Sequence, residues 1–221
     1  ISIVPAGDYH SNYGGGQVYV RRLVAELERQ GHEVVIGFDP TADIVHAHGH
    51  KAETVLKAKE MGIPCVITAH HGGILCPAGA LLNQRDEICH CQACHENCLP
   101  CYLRNIRTGL GWHPLVRHIK PSRYVAFGRW LSKLPFIPFV TPIGQAALSI
   151  EGKLKDWETI RDNASLLIAP SQAIAETMRR NGAERVHVVP HGVPETQLST
   201  LNSQLSTFYY VGRIARIKGL H

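Results

Sequence analysis

The chain has 221 residues, of which 44% are hydrophobic and 19% charged, with a formal net charge of +5 and a mean hydropathy of −0.08. That composition fits a globular protein with a sizeable core and excludes a disordered, collagen-like or coiled-coil chain. The longest apolar stretch, Leu134 to Ile150, is broken by Pro135, Pro138 and Pro142, so no membrane-spanning helix is expected.

In chain order, Ile1–Val4 reads as a first strand. It lacks the basic start and long apolar run of a signal peptide, and a cytoplasmic location is expected. A polar loop with Tyr13-Gly14-Gly15-Gly16 follows, then Val20, Leu23, Val24 and Leu27 at helical spacing, with Gly31 as the stop. Val34–Phe38 is a second strand and Asp43–His48 a third. Ala52, Val55 and Leu56 mark one face of a helix ending at Gly62, and Cys65–Ala69 is a fourth strand. Strands alternating with helices predict an α/β fold with a doubly wound, Rossmann-like parallel sheet.

From His70 to about Cys101 periodicity gives way to cysteine, which places an irregular Cys-rich insertion outside the carboxyl ends of the strands. Between Asn97 and Ile150 there is no Asp or Glu, whereas Arg104, Arg107, Arg117, Lys120, Arg123, Arg129 and Lys133 are all basic; the rest of the chain has 16 basic against 18 acidic residues. The basicity is therefore local, and no nucleic-acid partner is expected. The same stretch holds seven of fifteen aromatics, a combination that suits the surface of an anionic membrane. A helix near Gly152–Asp162, a strand at Leu166–Ala169, a helix capped by Ser171 and ending at Gly182, and a strand at Val186–Val189 complete the alternation, and Phe208–Val211 opens a new strand. The lack of an initial Met and the end at Gly219-Leu220-His221 read as those of a fragment.

Three groups of residues carry chemistry. Glycines between a strand and a helix let the backbone approach a ligand, and the helix N-terminus beyond offers N–H groups to an anion. Gly14-x-Gly16 does not complete the dinucleotide fingerprint, because Tyr19 stands where Gly or Ala is required. Histidine is dense at the ends of strands three and four, at His46, His48, His50, His70 and His71, which points to one site. Six cysteines fall between Cys76 and Cys101, with two C-x-x-C intervals, and favour metal ligation. A structural zinc on Cys76, Cys89, Cys98 and Cys101 is expected, since the first two anchor the loop ends and the C-x-x-C pair supplies the rest; an iron–sulfur cluster is the alternative. Cys65, inside a strand, is a core residue. Near the end, Arg213 and Lys218 flank a glycine turn and have the chemistry to bind a diphosphate.

These pieces together resemble the retaining GT-B glycosyltransferases of family 4, the group 1 glycosyl transferases. The matching stretches are Gly14-Gly15-Gly16 with Val20–Leu27 and Gly31-His32-Glu33-Val34, Asp43–His48, Thr68-Ala69-His70, Ala169-Pro170-Ser171, Val189–Val193, and Val211-Gly212-Arg213 with Lys218-Gly219. The resemblance implies that residues 1–205 are the N-terminal, acceptor-side half of a GT-B fold, with the insertion at about 70–101, and that 206–221 begin a truncated donor-binding domain. It implies a nucleotide-sugar donor, UDP-, GDP- or ADP-linked, with Gly15 and Gly16 by its phosphates, Arg213 and Lys218 on its diphosphate, His70 beside the reacting sugar as the catalytic histidine, and His46 and His48 on the acceptor side, without a catalytic metal. The acceptor is an unidentified sugar or lipid-linked molecule, which would put the protein at the inner face of the membrane. The family's Glu, seven residues, Glu pattern is missing and Asn-Gly-Val-Asp is replaced by His191-Gly192-Val193-Pro194, so this chain alone is not expected to transfer sugar efficiently. A competing reading is a metal-dependent module that binds nucleic acid or protein through the insertion.

Overall fold

The computed structural model describes residues 1–10, 14–83, 87–105 and 141–192, together with Arg123, Ala126 and Trp130. The chain divides into two compact units, Ile1–Pro190 and His191–His221. The predicted strand at Phe208–Val211 lies outside the described residues, as do Arg213 and Lys218.

In the first unit, β1 (Ser2–Val4), α1 (Gly15–Arg29), β2 (Val35–Ile36), β3 (Val45–His48), α2 (Ala52–Glu60) and β4 (Cys65–Thr68) follow one another. After a short 3₁₀ turn at Gly72–Ile74 come α3 (His95–Asn105), α4 (Thr141–Asn163), β5 (Leu166–Ala169), α5 (Gln172–Arg180) and β6 (Val186–Val188). The six strands form one all-parallel sheet in the order β2-β1-β3-β4-β5-β6, consistent with a Rossmann-like fold.

The register separates the two faces. Ile3 pairs with His46 and His46 with Val66, so these three share the face on which Val20 and Val24 of α1 pack against Ile3. The alternate residues Val45, Ala47, Cys65, Ile67, Leu167 and Ala169 face the other way, into a larger core with Val55 of α2, Trp157 and Ile160 of α4, and Ala175 and Met178 of α5. Val55, Ile67, Ile160 and Met178 are fully buried, each contributing about 1.5–3 kcal/mol of transfer free energy. Helices on both faces make the sheet doubly wound, as the alternation predicts.

Local chemistry explains the helix ends. Ser171 accepts from the backbone N–H of Ile174 at 3.4 Å at the start of α5, Arg179 and Arg180 occupy its last turn, and Gly182 leaves it at φ 87°. At α1 the N-cap is Gly14, at φ 110°, which offers no side chain to the first backbone N–H groups, and no acidic residue stands in the first turn.

Four expectations are corrected. The second strand pairs only over Val35–Ile36, because β2 is the sheet edge and Gly37, although its N–H still donates to the Ile3 carbonyl at 2.8 Å, leaves the strand conformation at φ 108°. Leu56 is 43% exposed and Ala58 is buried in its stead on α2. The helix expected near Gly152 begins at Thr141, with Pro142 in its first turn, where a missing N–H costs nothing. The insertion is not irregular to its end, since α3 starts at His95 and packs on α4 through Leu99, Ile150 and Leu154. Among the described residues no helix is long and apolar enough to cross a membrane.

Candidate functional site

The strand order reverses at β1, which sends the chain to β2 on one side and to β3 on the other. A parallel sheet opens a crevice at such a point, beyond the carboxyl ends of its strands. The loops after β1 and β3 meet there: a Cβ on Gly49, which sits at φ 76°, would lie 3.2 Å from the Cβ of Ala6. That position therefore requires glycine for conformation and for space.

Period-2 alternation puts His46 and His48 of β3 on one face, and Thr68 of β4 with His70 just beyond it on the same face. The rings of His46 and His48 stack at 4.4 Å between centroids, and those of His48 and His70 at 5.2 Å. His48 Nδ1 and His70 Nε2 are 3.2 Å apart, so one ring donates an N–H to the other and the pair holds complementary tautomers. His46 Nε2 meets Thr68 Oγ1 at 2.7 Å. Burial pushes the His46 imidazole down to about 4, which makes it neutral at physiological pH. His48 is fully buried.

The glycine loop joins this row from α1. A Cβ on Gly16 would lie 3.7 Å from the His70 ring, and Gly15 has nothing within 4 Å. Tyr19, one turn further on, stands edge-on to His48 and His70, with centroids at 6.0 and 5.4 Å, and its burial raises its pKa. Tyr19 is noticed in the sequence only as a break in the dinucleotide fingerprint. The structure instead makes it a wall of the histidine row, and its position three residues after Gly16, on the face of α1 that also carries Val20, is the signal that would have found it. Thr68 stands in the sequence only as part of the Thr68-Ala69-His70 stretch, and its alternation with His70 is the signal that would have placed it in the row.

The five clustered histidines do not act as one group. His46, His48 and His70 come together. His50 pairs with Asp156 of α4 at 3.3 Å, and His71 accepts from the backbone N–H of Gly73 at 2.9 Å to cap the 3₁₀ turn. Chemically, the site sets the neutral His46 and the stacked rings of His48 and His70 beside the N-terminus of α1, an arrangement suited to an anion flanked by hydroxyl groups.

The cysteines lie elsewhere. Cys76, Cys89, Cys91, Cys98 and Cys101 line one pocket, together with Leu81 and Asn181. No disulfide joins the cysteines. Among the described residues no group of three or more His, Cys, Asp or Glu is arranged to hold a metal ion. Of the four expected zinc ligands, all border the pocket, and the Cys101 thiol donates to the carbonyl oxygen of Asn97 in its own helix at 3.8 Å. Asn181 ties this region to the sheet scaffold: its Oδ1 accepts from the backbone N–H of Ala93 at 2.7 Å, and its carbonyl oxygen from Trp157 Nε1 at 3.1 Å. Nothing in the sequence distinguishes Asn181 from a helix-ending residue.

Comparison of the chain with protein-family models, curated proteins and solved structures returned no match. Fold and site together define an α/β protein with a Rossmann-like parallel sheet and a histidine-lined crevice at its switch point.

Proposed function

We propose that the chain is the acceptor-side part of a retaining glycosyltransferase of the GT-B kind, which uses a nucleoside diphosphate sugar. The observation that carries this reading is the contact of the glycine loop with the histidine row: Gly16 lies against the ring of His70, which is in turn joined to His48. A donor's phosphates would lie against the N–H groups of Gly15 and Gly16, and His70 would hydrogen-bond the transferred sugar. His48 orients that imidazole, and His46, kept neutral by burial, backs the row on the acceptor side. As the sugar–oxygen bond lengthens, an oxocarbenium-like sugar and an anionic diphosphate develop. The N-terminus of α1 would stabilise the leaving charge; Arg213 and Lys218, which the resemblance assigns to the diphosphate, lie outside the described residues.

Attachment to an anionic membrane through residues 97–150 belongs to the same reading. It rests on the acid-free sequence and on Trp130, which is 57% exposed. Co-sedimentation that depends on acidic lipid supports it, and equal binding to neutral vesicles refutes it.

The test is binding and transfer with UDP-, GDP- and ADP-sugars by the full-length protein, alongside its Gly16→Ala variant. The added methyl reaches the His70 ring only at ordinary contact distance, so folding is expected to be kept, while donor affinity falls about tenfold or more because the backbone no longer meets the phosphate closely. Neither binding nor transfer with any donor, in protein shown to be folded, overturns the reading.

A further inference from the structure

His70 differs from the other two members of the histidine row in where it stands. His46 and His48 belong to β3, whereas β4 ends at Thr68 and the 3₁₀ turn starts only at Gly72, so His70 lies between elements. The χ2 torsion of a histidine is broad and roughly two-fold, and outside a strand the ring is set by what packs on it. A half-turn about χ2 exchanges Nδ1 with Cδ2 and Nε2 with Cε1, and would break the 3.2 Å bond between His70 Nε2 and His48 Nδ1. His48 stacks on the ring with 20° between the planes. Two further contacts come from α1. The Cβ position of Gly16 lies 3.7 Å from both Cγ and Cδ2 of the His70 ring, and Tyr19, on the same helix, stands across the pair at 75° to His70 and 68° to His48. Tyr19 is itself held, because it packs on the cluster of Ile3, Val20 and Val24 that docks α1 on the sheet.

We propose that Tyr19 is a positioning residue for His70: its ring, set across both imidazoles, keeps His70 in the χ2 orientation that preserves the bond to His48 beside the glycine loop. The centroid separations, 5.4 Å to His70 and 6.0 Å to His48, and the steep angles are those of edge-to-face aromatic pairs. One flat ring thereby restrains two others at once. A leucine at this position would satisfy the apolar face of α1 equally well, but its branched, flexible side chain would not stand across both rings. A phenylalanine would. The same short length of α1 also carries Gly15 and Gly16, so one helix fixes the backbone N–H groups and the histidine relative to each other. Placement of this kind matters because a shift of about 1 Å at a reacting group can cost about a hundredfold in rate. The consequence for sugar transfer rests on the glycosyltransferase reading, whereas the effect on the imidazole pair does not.

The experiment compares the full-length protein with Tyr19→Phe and Tyr19→Leu by two readouts. The first, independent of activity, is nitrogen NMR of the histidine rings, with His48 and His70 assigned by the signals lost in His48→Gln and His70→Gln. Wild type and Tyr19→Phe should each show His70 in a single tautomer, and Tyr19→Leu should show nitrogen shifts averaged between the two. The second is steady-state transfer with the nucleotide sugar that the wild type uses. Tyr19→Leu should lower kcat about tenfold or more while the donor KM stays within about twofold, and Tyr19→Phe should keep both within about twofold. A fixed His70 tautomer in folded Tyr19→Leu, a change confined to KM, or a Tyr19→Phe variant that behaves like Tyr19→Leu would each overturn the proposal. If Tyr19→Leu does not fold, Tyr19→Phe still decides, since averaged His70 shifts in it refute the role of the ring and a single tautomer supports it. A wild type that transfers no sugar overturns the glycosyltransferase reading alone, and the NMR comparison then judges Tyr19 by itself.

Discussion

Acidification tests the histidine row directly. His46 lies inside the sheet with its ring against His48 and Thr68, and burial lowers its pKa to about 4. In the unfolded chain the same imidazole titrates at about 6.5. Below that value the unfolded state takes up a proton that the native state refuses, so the stability present above about pH 6.5 is lost as the pH falls towards 4. Integrating between the two values gives about 2 kcal/mol lost by about pH 5 and about 3 kcal/mol by about pH 4 from this residue alone. With a urea dependence of about 1–3 kcal/mol per molar, the midpoint moves by roughly 1 M at about pH 5. Other histidines, including His50 and His95, whose burial also lowers their pKa, act in the same direction. The residue is therefore isolated by comparison with His46→Gln, which keeps a polar partner for Thr68 and cannot titrate. Urea unfolding followed by circular dichroism at about pH 7.5 and about pH 5 should show a loss about 2 kcal/mol smaller in the variant. Parallel losses, or an NMR titration of His46 centred near 6.5, would refute the reasoning.

Further outcomes follow from single contacts. Gly72→Ala places a methyl group in collision with the Leu81 side chain and should cost about 1–3 kcal/mol in urea unfolding, whereas Gly15→Ala meets nothing and should be tolerated. Ser171→Ala removes the cap of α5 and should cost about 1 kcal/mol, which Ser171→Asp recovers; thermal unfolding reads both. Trp157→Phe keeps an aromatic ring in the core but leaves the Asn181 carbonyl without its 3.1 Å donor, and should cost about 1–3 kcal/mol by the same measurement.

The sheet was legible where apolar runs are bounded by residues that end strands. Leu166–Ala169, between Ser165 and Pro170, was read to the residue. Edge position was not legible, and so β2 was read too long. Leu56 and Ala58 show a second limit: a leucine outweighs an alanine in any apolar pattern, yet Ala58 is the one buried against β4 and α4. In the insertion, Cys94, Cys98 and Cys101 recur at helical spacing, but residues counted for their chemistry hid that period, and α3 was missed. At the site, the sequence marked the histidines without separating the row of His46, His48 and His70 from His50 and His71, because that separation depends on which way each side chain leaves its strand or loop.

The order of the strands in the chain also governs how the sheet is assembled. β1, β3 and β4 lie within the first 68 residues and pair with one another, but the next ladder joins Val66 to Leu166, a separation of 100 positions. Closing a long loop is entropically unfavourable, though each doubling of length adds only about 0.6 kcal/mol. Non-local parallel pairing is correspondingly slow. During synthesis the histidine-bearing strands are complete well before β5 emerges, and until it docks, β4 presents an open edge. The side of Cys65 and Ile67 that Trp157 and Ile160 later cover is exposed for the same interval. The histidine row is thus built from the early half of the sheet, while the late half closes the edge most open to mispairing with another chain.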